Sequence, residues 1–407
     1  MESATAFEAI EGGITAARGY RAAGVAAGIK YRDRKDFALL VSDAPASAAA
    51  VFTSNRVAAA PVQLCRERVR GGRIQAVAVN SGCANACTGE QGLANARAMA
   101  RHAAEAAGVP ENLVLVCSTG VIGVQLPMDR IAAGARLAAA ALSRTGGPDA
   151  ARAIMTTDHV PKETARRLRI GGRDAVVAGM CKGAGMIEPH LATMLGFLVT
   201  DAAVTPADLD AALRRAVEPS FNRITVDGDQ STNDTVILLA NGACGAAPIG
   251  PGHADWPAFA AALAEVCADL ARRMVMDAEG ATKFVTVHVR GARSARDAQQ
   301  AARAIARSAL VKTSWFGCDP NWGRVIAAAG YSGAEVDDRL ARIAYGDVWA
   351  YDRGRVADAP TLASLRQAMS GRSFRVTVDL GLGAAEDTVY TCDLSYDYVK
   401  VNAEYTT

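Results

Sequence analysis

Apolar runs of strand length alternate with longer helical stretches from end to end of this 407-residue chain, and that alternation leaves few folds open. The runs at 37–41, 74–79, 113–117 and 175–180 read as strands. Between them, 91–107 reads as a helix after Thr88-Gly89, with Gly108 and Pro110 as its stop. Thr205-Pro206-Ala207-Asp208 is a helix start: a capping threonine, proline at the first helical position and an acid in the first turn. A helix over 256–276 feeds the strictly alternating 284–290, a half-buried strand. A further helix covers 295–310, and a hairpin pairs 374–379 with 388–394 through Gly381 and Gly383. Half of the residues (50%) are hydrophobic, ample for a large core, and no repeat, low-complexity linker or block of like charge marks a boundary. The expected class is α/β, with α and β mixed throughout.

The charge balance narrows the partners. With 44 basic against 42 acidic side chains, and arginines scattered rather than striped, there is no electrostatic footprint for nucleic acid or a membrane surface. Small polar metabolites are the expected partners. Glu2, Glu8 and Glu11 interrupt any leader-like N-terminus, so the expected compartment is the cytoplasm. Nine cysteines, an odd number without dense regular spacing, suit reduced and buried thiols. Cys83 and Cys87 have no second pair or nearby histidine to complete four ligands, and His102, His253 and His288 show no metal-binding spacing. Neither a metal nor a cofactor is expected. Gly183-Ala184-Gly185 lacks the third glycine of a dinucleotide loop and no helical pattern follows it.

The segment from Lys182 through Gly183, Gly185 and Pro189 to Ala192-Thr193-Met194-Leu195-Gly196 allows two readings. In one it is a buried loop-to-strand junction, with 193–200 an ordinary apolar strand. In the other the glycines and the proline permit a strained peptide, and the Ala192–Thr193 bond is cut by the chain itself. Thr193 would then carry a free α-amine beside its hydroxyl, which supplies the base that a neutral threonine lacks.

The same segment resembles the processing site of the ornithine acetyltransferase (glutamate N-acetyltransferase) family. Further stretches are similar to that family along nearly the whole chain: 19–30, Asn80-Ser81-Gly82-Cys83-Ala84-Asn85-Ala86, Cys117-Ser118-Thr119-Gly120, Met155-Thr156-Thr157-Asp158, 221–229, Asp319-Pro320-Asn321-Trp322-Gly323-Arg324 and the ending 398–405. The resemblance implies a self-processing fold of mixed sheets sandwiched by helices, in which 1–192 and 193–407 become two fragments sharing one folded body. It implies transfer of acetyl from N2-acetylornithine to glutamate through acetyl-Thr193, in arginine biosynthesis, and leaves open acetyl-CoA as a further donor. By the same resemblance, Thr119 and Gly120 form the oxyanion hole, and Thr156, Lys182, Thr193, Glu279, Asn402 and Thr407 bind substrate. Two copies of each fragment are expected to assemble.

Read without the family, each position has an ordinary alternative. Thr119 and Gly120 would be a turn after the strand 113–117, Lys182 a solvated lysine on a loop, Glu279 an exposed helix-end carboxylate, and the tail with Asn402 and Thr407 frayed. His190-Leu191 stands where the family more often carries Asn-Met, and His159 where threonine is common. Neither removes a reacting group. The rival functions are an N-terminal-threonine aminopeptidase or amidase, in which water deacylates Thr193, and an uncut metabolite-binding protein.

Overall fold

The computed structural model describes residues 7–188 and 194–404, and its strands form two mixed sheets. The first contains β1 (Phe7–Ile10), β2 (Tyr20–Val25), β3 (Phe37–Phe52), β4 (Arg73–Cys83), β5 (Val114–Val121), β6 (Lys162–Ile170), β7 (Arg173–Lys182), β8 (Leu195–Thr200) and β9 (Thr235–Ala240). Their order is β1-β6-β7-β8-β9-β3-β4-β5, with β2 on β3. The second contains β10 (Phe284–Ala292), β11 (Arg342–Tyr345), β12 (Val348–Asp352), β13 (Arg355–Val356), β14 (Ser373–Asp379) and β15 (Ala385–Cys392), ordered β13-β12-β11-β14-β10-β15. The helices are α1 (Ala60–Arg68), α2 (Gly89–Ala107), α3 (Met128–Ala140), α4 (Gly147–Ala153), α5 (Pro206–Val217), α6 (Trp256–Met276), α7 (Ala295–Arg307), α8 (Ala309–Phe316), α9 (Trp322–Gly330), α10 (Ala359–Met369) and α11 (Tyr396–Glu404).

Helices cover both faces of the first sheet, which is why its strands read as unbroken apolar runs. In β8, Phe197 and Val199 join a core with Met99, Ile131 and Ala150 from α2, α3 and α4. Leu198, pointing the other way, joins Leu213, Phe259 and Leu270 from α5 and α6. The second sheet alternates instead: Val285, Val287 and Val289 pack against Ala298, Ala302 and Ile305 of α7, while Thr286, His288 and Arg290 are half-buried or exposed. Local signals set the helix ends. The Thr205 hydroxyl accepts from Asp208 N–H at 3.2 Å with proline at the first helical position, and Gly108, at φ 69°, ends α2 in the left-handed region. Among the described residues no helix is long and apolar enough to cross a membrane.

Three expectations need correction. The helix over 295–310 is two helices, because Ser308 is extended and caps the second, its hydroxyl accepting from Val311 N–H at 3.3 Å. The hairpin of 374–379 with 388–394 does not form: β10 lies between β14 and β15, parallel to the first and antiparallel to the second. The glycine-containing connection wraps the end of β10, with Leu380 N–H donating to Arg290 O and Leu382 and Gly383 N–H to Gly291 O. Finally, β5 begins at Val114 and runs on to Val121, so Thr119 and Gly120 lie in the strand and not in a turn after it.

Candidate active site

A small cavity of about 110 Å³ is lined by Thr119 and Gly120 from β5, Thr156 from the loop after α4, Lys182 from the end of β7, Glu279 from the turn after α6 and Asn402 from α11. Widely separated stretches of chain therefore deliver these residues to one place.

The Thr119–Gly120 corner is held by close backbone packing. β4 and β5 run parallel, and their register slips at Gly82 and Cys83, opposite Gly120. Gly120 has φ 130°, and a Cβ there would sit 2.3 Å from Gly82 C and 2.6 Å from Cys83 N, so no other residue fits. The Asn233 amide spans the corner, donating to Ala84 O at 2.7 Å and to Ser118 O at 2.8 Å. This fixes the residue before Thr119, while Thr119 itself is only 6% exposed.

Charge of both signs lies opposite. Lys182 is 3% exposed and ends β7, so it is neither solvated nor on a loop. Burial pushes its ammonium below the usual lysine range, against the pull of Asp158. Glu279 is 7% exposed rather than a solvated helix end. Its N–H donates to Ala184 O at 2.9 Å, and its Oε2 accepts from Asn402 Nδ2 at 2.9 Å. The tail through Glu404 is accordingly a helix whose Asn402 reaches the cavity. Asp227 fastens both sides: its carboxylate accepts from Met186 N–H at 2.6 Å, from Ile187 N–H at 2.9 Å and from the Tyr398 hydroxyl at 3.3 Å.

Ala192, Thr193 and Thr407 lie outside the described residues, as do His190 and Leu191. The nearest described neighbour, Met194, donates its N–H to Asp234 Oδ1 at 2.8 Å. Asp234 is fully buried, and burial pushes its carboxyl well above the usual range. Its Oδ2 has no hydrogen-bond partner among the described residues. Asp158, Asp227, Asn233 and Asp234 were not among the expected site residues. The signal available was the polar run 230–235 directly ahead of an apolar strand, and the acid closing Thr156-Thr157-Asp158. A larger cavity of about 710 Å³, lined by His159, Lys162, Asp277, Arg372 and Lys400 among others, contains none of the expected residues. Its buried cation, Lys162, is already paired with Asp158 and Asp277, so the smaller cavity is the better place for chemistry. No group of three or more potential metal ligands occurs among the described residues.

This arrangement offers a hydroxyl and a strand-end glycine on one wall, and a buried ammonium, a carboxylate and an amide on the other. It suits a small molecule that carries charges of both signs. The chain is 53% identical to the arginine biosynthesis bifunctional protein ArgJ of Symbiobacterium thermophilum, over 98% of this chain and 100% of that protein. It is also 53% identical to the protein of the same name from Geobacter sulfurreducens, over 96% and 99%. A crystal structure of the Bacillus halodurans protein of that name has a TM-score of 0.50 and 40% identity, with 52% of this chain covering 100% of the solved chain. The model of the ArgJ family matches residues 21–407, and the chain belongs to that family.

Proposed function

We propose that this acyltransferase of arginine biosynthesis moves the acetyl group of N2-acetylornithine to L-glutamate, after cutting itself between Ala192 and Thr193. The observation that carries the reading is the convergence of Thr119, Gly120, Thr156, Lys182, Glu279 and Asn402 on one cavity. A substrate with a carboxylate and an ammonium needs partners of both signs, and Lys182 and Glu279 supply them. The register of β7 and β8 sets Leu195, two residues after Thr193 in sequence, opposite Lys182, which supports the reading. The solved relative whose whole length is covered by 52% of this chain is about what a fragment 193–407 would present.

In the proposed cycle the α-amine of Thr193 takes the proton of its own hydroxyl as the oxygen attacks the acetyl carbonyl. The Thr119–Gly120 corner stabilises the tetrahedral oxyanion. The C–N bond breaks, and ornithine leaves with its α-amine carrying the returned proton. Glutamate then enters, and its α-amine takes the acetyl group from Thr193 by the reverse steps. Thr156, Lys182, Glu279, Asn402 and Thr407 hold the amino-acid part, no cofactor takes part, and ping-pong kinetics follow. The relatives are named bifunctional, and acetyl-CoA is the proposed second donor. Two copies of fragment 1–192 and two of 193–407 form the proposed assembly, in the cytoplasm.

A denaturing gel with N-terminal sequencing, followed by product analysis with acetylornithine with and without glutamate, tests this reading. Two fragments, the second beginning at Thr193, and acetylglutamate formed only with glutamate are expected. Hydrolysis without transfer would make the protein an amidase, and an intact chain that binds without turnover would make it a binding protein.

A further inference from the structure

Asp158 lies beneath the cavity, outside the set of binding residues, and nearly all of its side chain is buried. Its Oδ1 accepts from Lys162 Nζ at 2.7 Å and from Gly183 N–H at 2.8 Å, and its Oδ2 accepts from Thr156 N–H at 3.0 Å. One carboxylate thus ties together the backbone at Thr156 and the backbone just after Lys182, two of the positions on the cavity wall. The Lys162 ammonium is saturated, since its other acceptors are Asp277 Oδ2 at 2.6 Å and Val160 O at 3.2 Å. The Lys182 ammonium, in contrast, makes no hydrogen bond to another described residue. It faces Asp158, Lys162, Glu279 and Asp234 through space.

We propose that Asp158 is a positioning residue for substrate binding: by standing between two buried lysines it keeps Lys182 charged and aimed at a substrate carboxylate, while its backbone bonds hold Thr156 at the matching distance. The inference rests on Lys182 meeting a substrate carboxylate, as proposed above. The energetics favour the role. A buried ammonium survives only beside a compensating charge, and Asp158 is the largest influence opposing the burial that lowers Lys182. Asp158 shows the reciprocal effect. Burial alone would raise its carboxyl, yet Lys182 and Lys162 together hold it far below the usual carboxylate range. Lys162 works against Lys182 as a like charge. Changing the two neighbours should therefore move Lys182 in opposite directions.

Asp158→Asn keeps the shape and removes the charge. With it, KM for acetylornithine should rise about tenfold or more while kcat changes little. The alkaline limb of kcat/KM, where Lys182 loses its proton, should move to lower pH. Lys162→Met, of similar length and without the competing cation, should move that limb to higher pH. Lys182 is also titrated directly in wild type and both variants, by its rate of modification with acetic anhydride against pH, read by mass spectrometry. This readout does not depend on turnover. If wild-type protein fails to use acetylornithine, the acetyltransfer reading falls, and the labelling still decides the role of Asp158. If Asp158→Asn does not fold, Lys162→Met decides. An alkaline limb and a labelling profile that stay at the wild-type pH, or that move down in Lys162→Met, would overturn the proposal, because a merely structural carboxylate predicts no opposite shifts.

Discussion

Gly185→Ala is the sharpest perturbation of the cavity that removes no expected functional group. Gly185 does not have a positive φ, so alanine meets no backbone penalty there. A Cβ would, however, sit 2.3 Å from Glu279 Oε2, 2.5 Å from its Cδ and 2.7 Å from its Oε1. The carboxylate must retreat by about 1 Å to regain ordinary contact, which would stretch the Asn402 bond from 2.9 Å to nearly 4 Å, beyond hydrogen-bond reach. A hydrogen bond to a charged group contributes about 1.5–3 kcal/mol, or roughly ten- to a hundredfold in affinity. The yielding atoms are the end of a flexible side chain, so the fold should persist. Gly120→Ala is different, because there the clash is with Gly82 and Cys83 backbone at φ 130°. Steady-state kinetics on Gly185→Ala should show KM for acetylornithine raised by about ten- to a hundredfold, with an unchanged circular-dichroism spectrum. Asn402→Ala should raise KM at least as much, since it also removes an amide proposed to hold the substrate, and the double variant should fall short of the sum of the two single effects, because both break the Glu279–Asn402 contact. Wild-type KM in Gly185→Ala, or full additivity in the double variant, would refute the coupling of Gly185, Glu279 and Asn402.

Two further outcomes follow from the same geometry. Thr119→Ala should lower kcat by about a hundredfold to a thousandfold with fragments still formed, the usual effect of losing one oxyanion donor; unchanged turnover would remove the Thr119 hydroxyl from the mechanism. Fragments 1–192 and 193–407 should co-elute from a sizing column and separate only in denaturant, because β8 pairs with β7 and β9 with β3 across the proposed cut; a fragment 193–407 that elutes alone would contradict that shared sheet.

The parts of the fold legible in the sequence were those governed by neighbours along the chain. α6 occupies Trp256–Met276 as its pattern required, and α5 starts at its threonine, proline and aspartate. The hairpin failed because strand pairing is not a local property. Thr388 is opposite His288, a hundred residues earlier, and nothing in the connection through Gly381 and Gly383 shows that another strand fills the gap. Ser308 misled for a smaller reason, since one extended residue divides a helical pattern without changing its period. At the cavity, the resemblance supplied residues that line one wall or another and are proposed to face a substrate, yet not Asp158 or Asn233, whose side chains bond to the backbone beside them. Asn233 bonds to backbone far away in sequence, at Ala84 and Ser118, and Asp158 joins its neighbour Thr156 to Gly183, just past the end of β7; a motif records residue types but not what they touch.

The same backbone-directed bonds explain how a chain could lose a peptide bond beside its cavity and keep the cavity intact. Before the proposed cut, Met186 and Ile187 donate to Asp227, Val226 N–H donates to Ile187 O at 2.8 Å, and Glu188 accepts from the Thr225 hydroxyl at 2.7 Å and pairs with Arg307 at 3.4 Å. After it, Met194 donates to Asp234 and accepts from Thr235 N–H at 3.2 Å. Both flanks of the junction are thus pinned to one stretch, 225–235, which also carries the cavity wall residues Ser231, Thr232 and Asn233. Neither flank depends on the bond between them to stay in place, since strands on either side are paired to further strands of the same sheet.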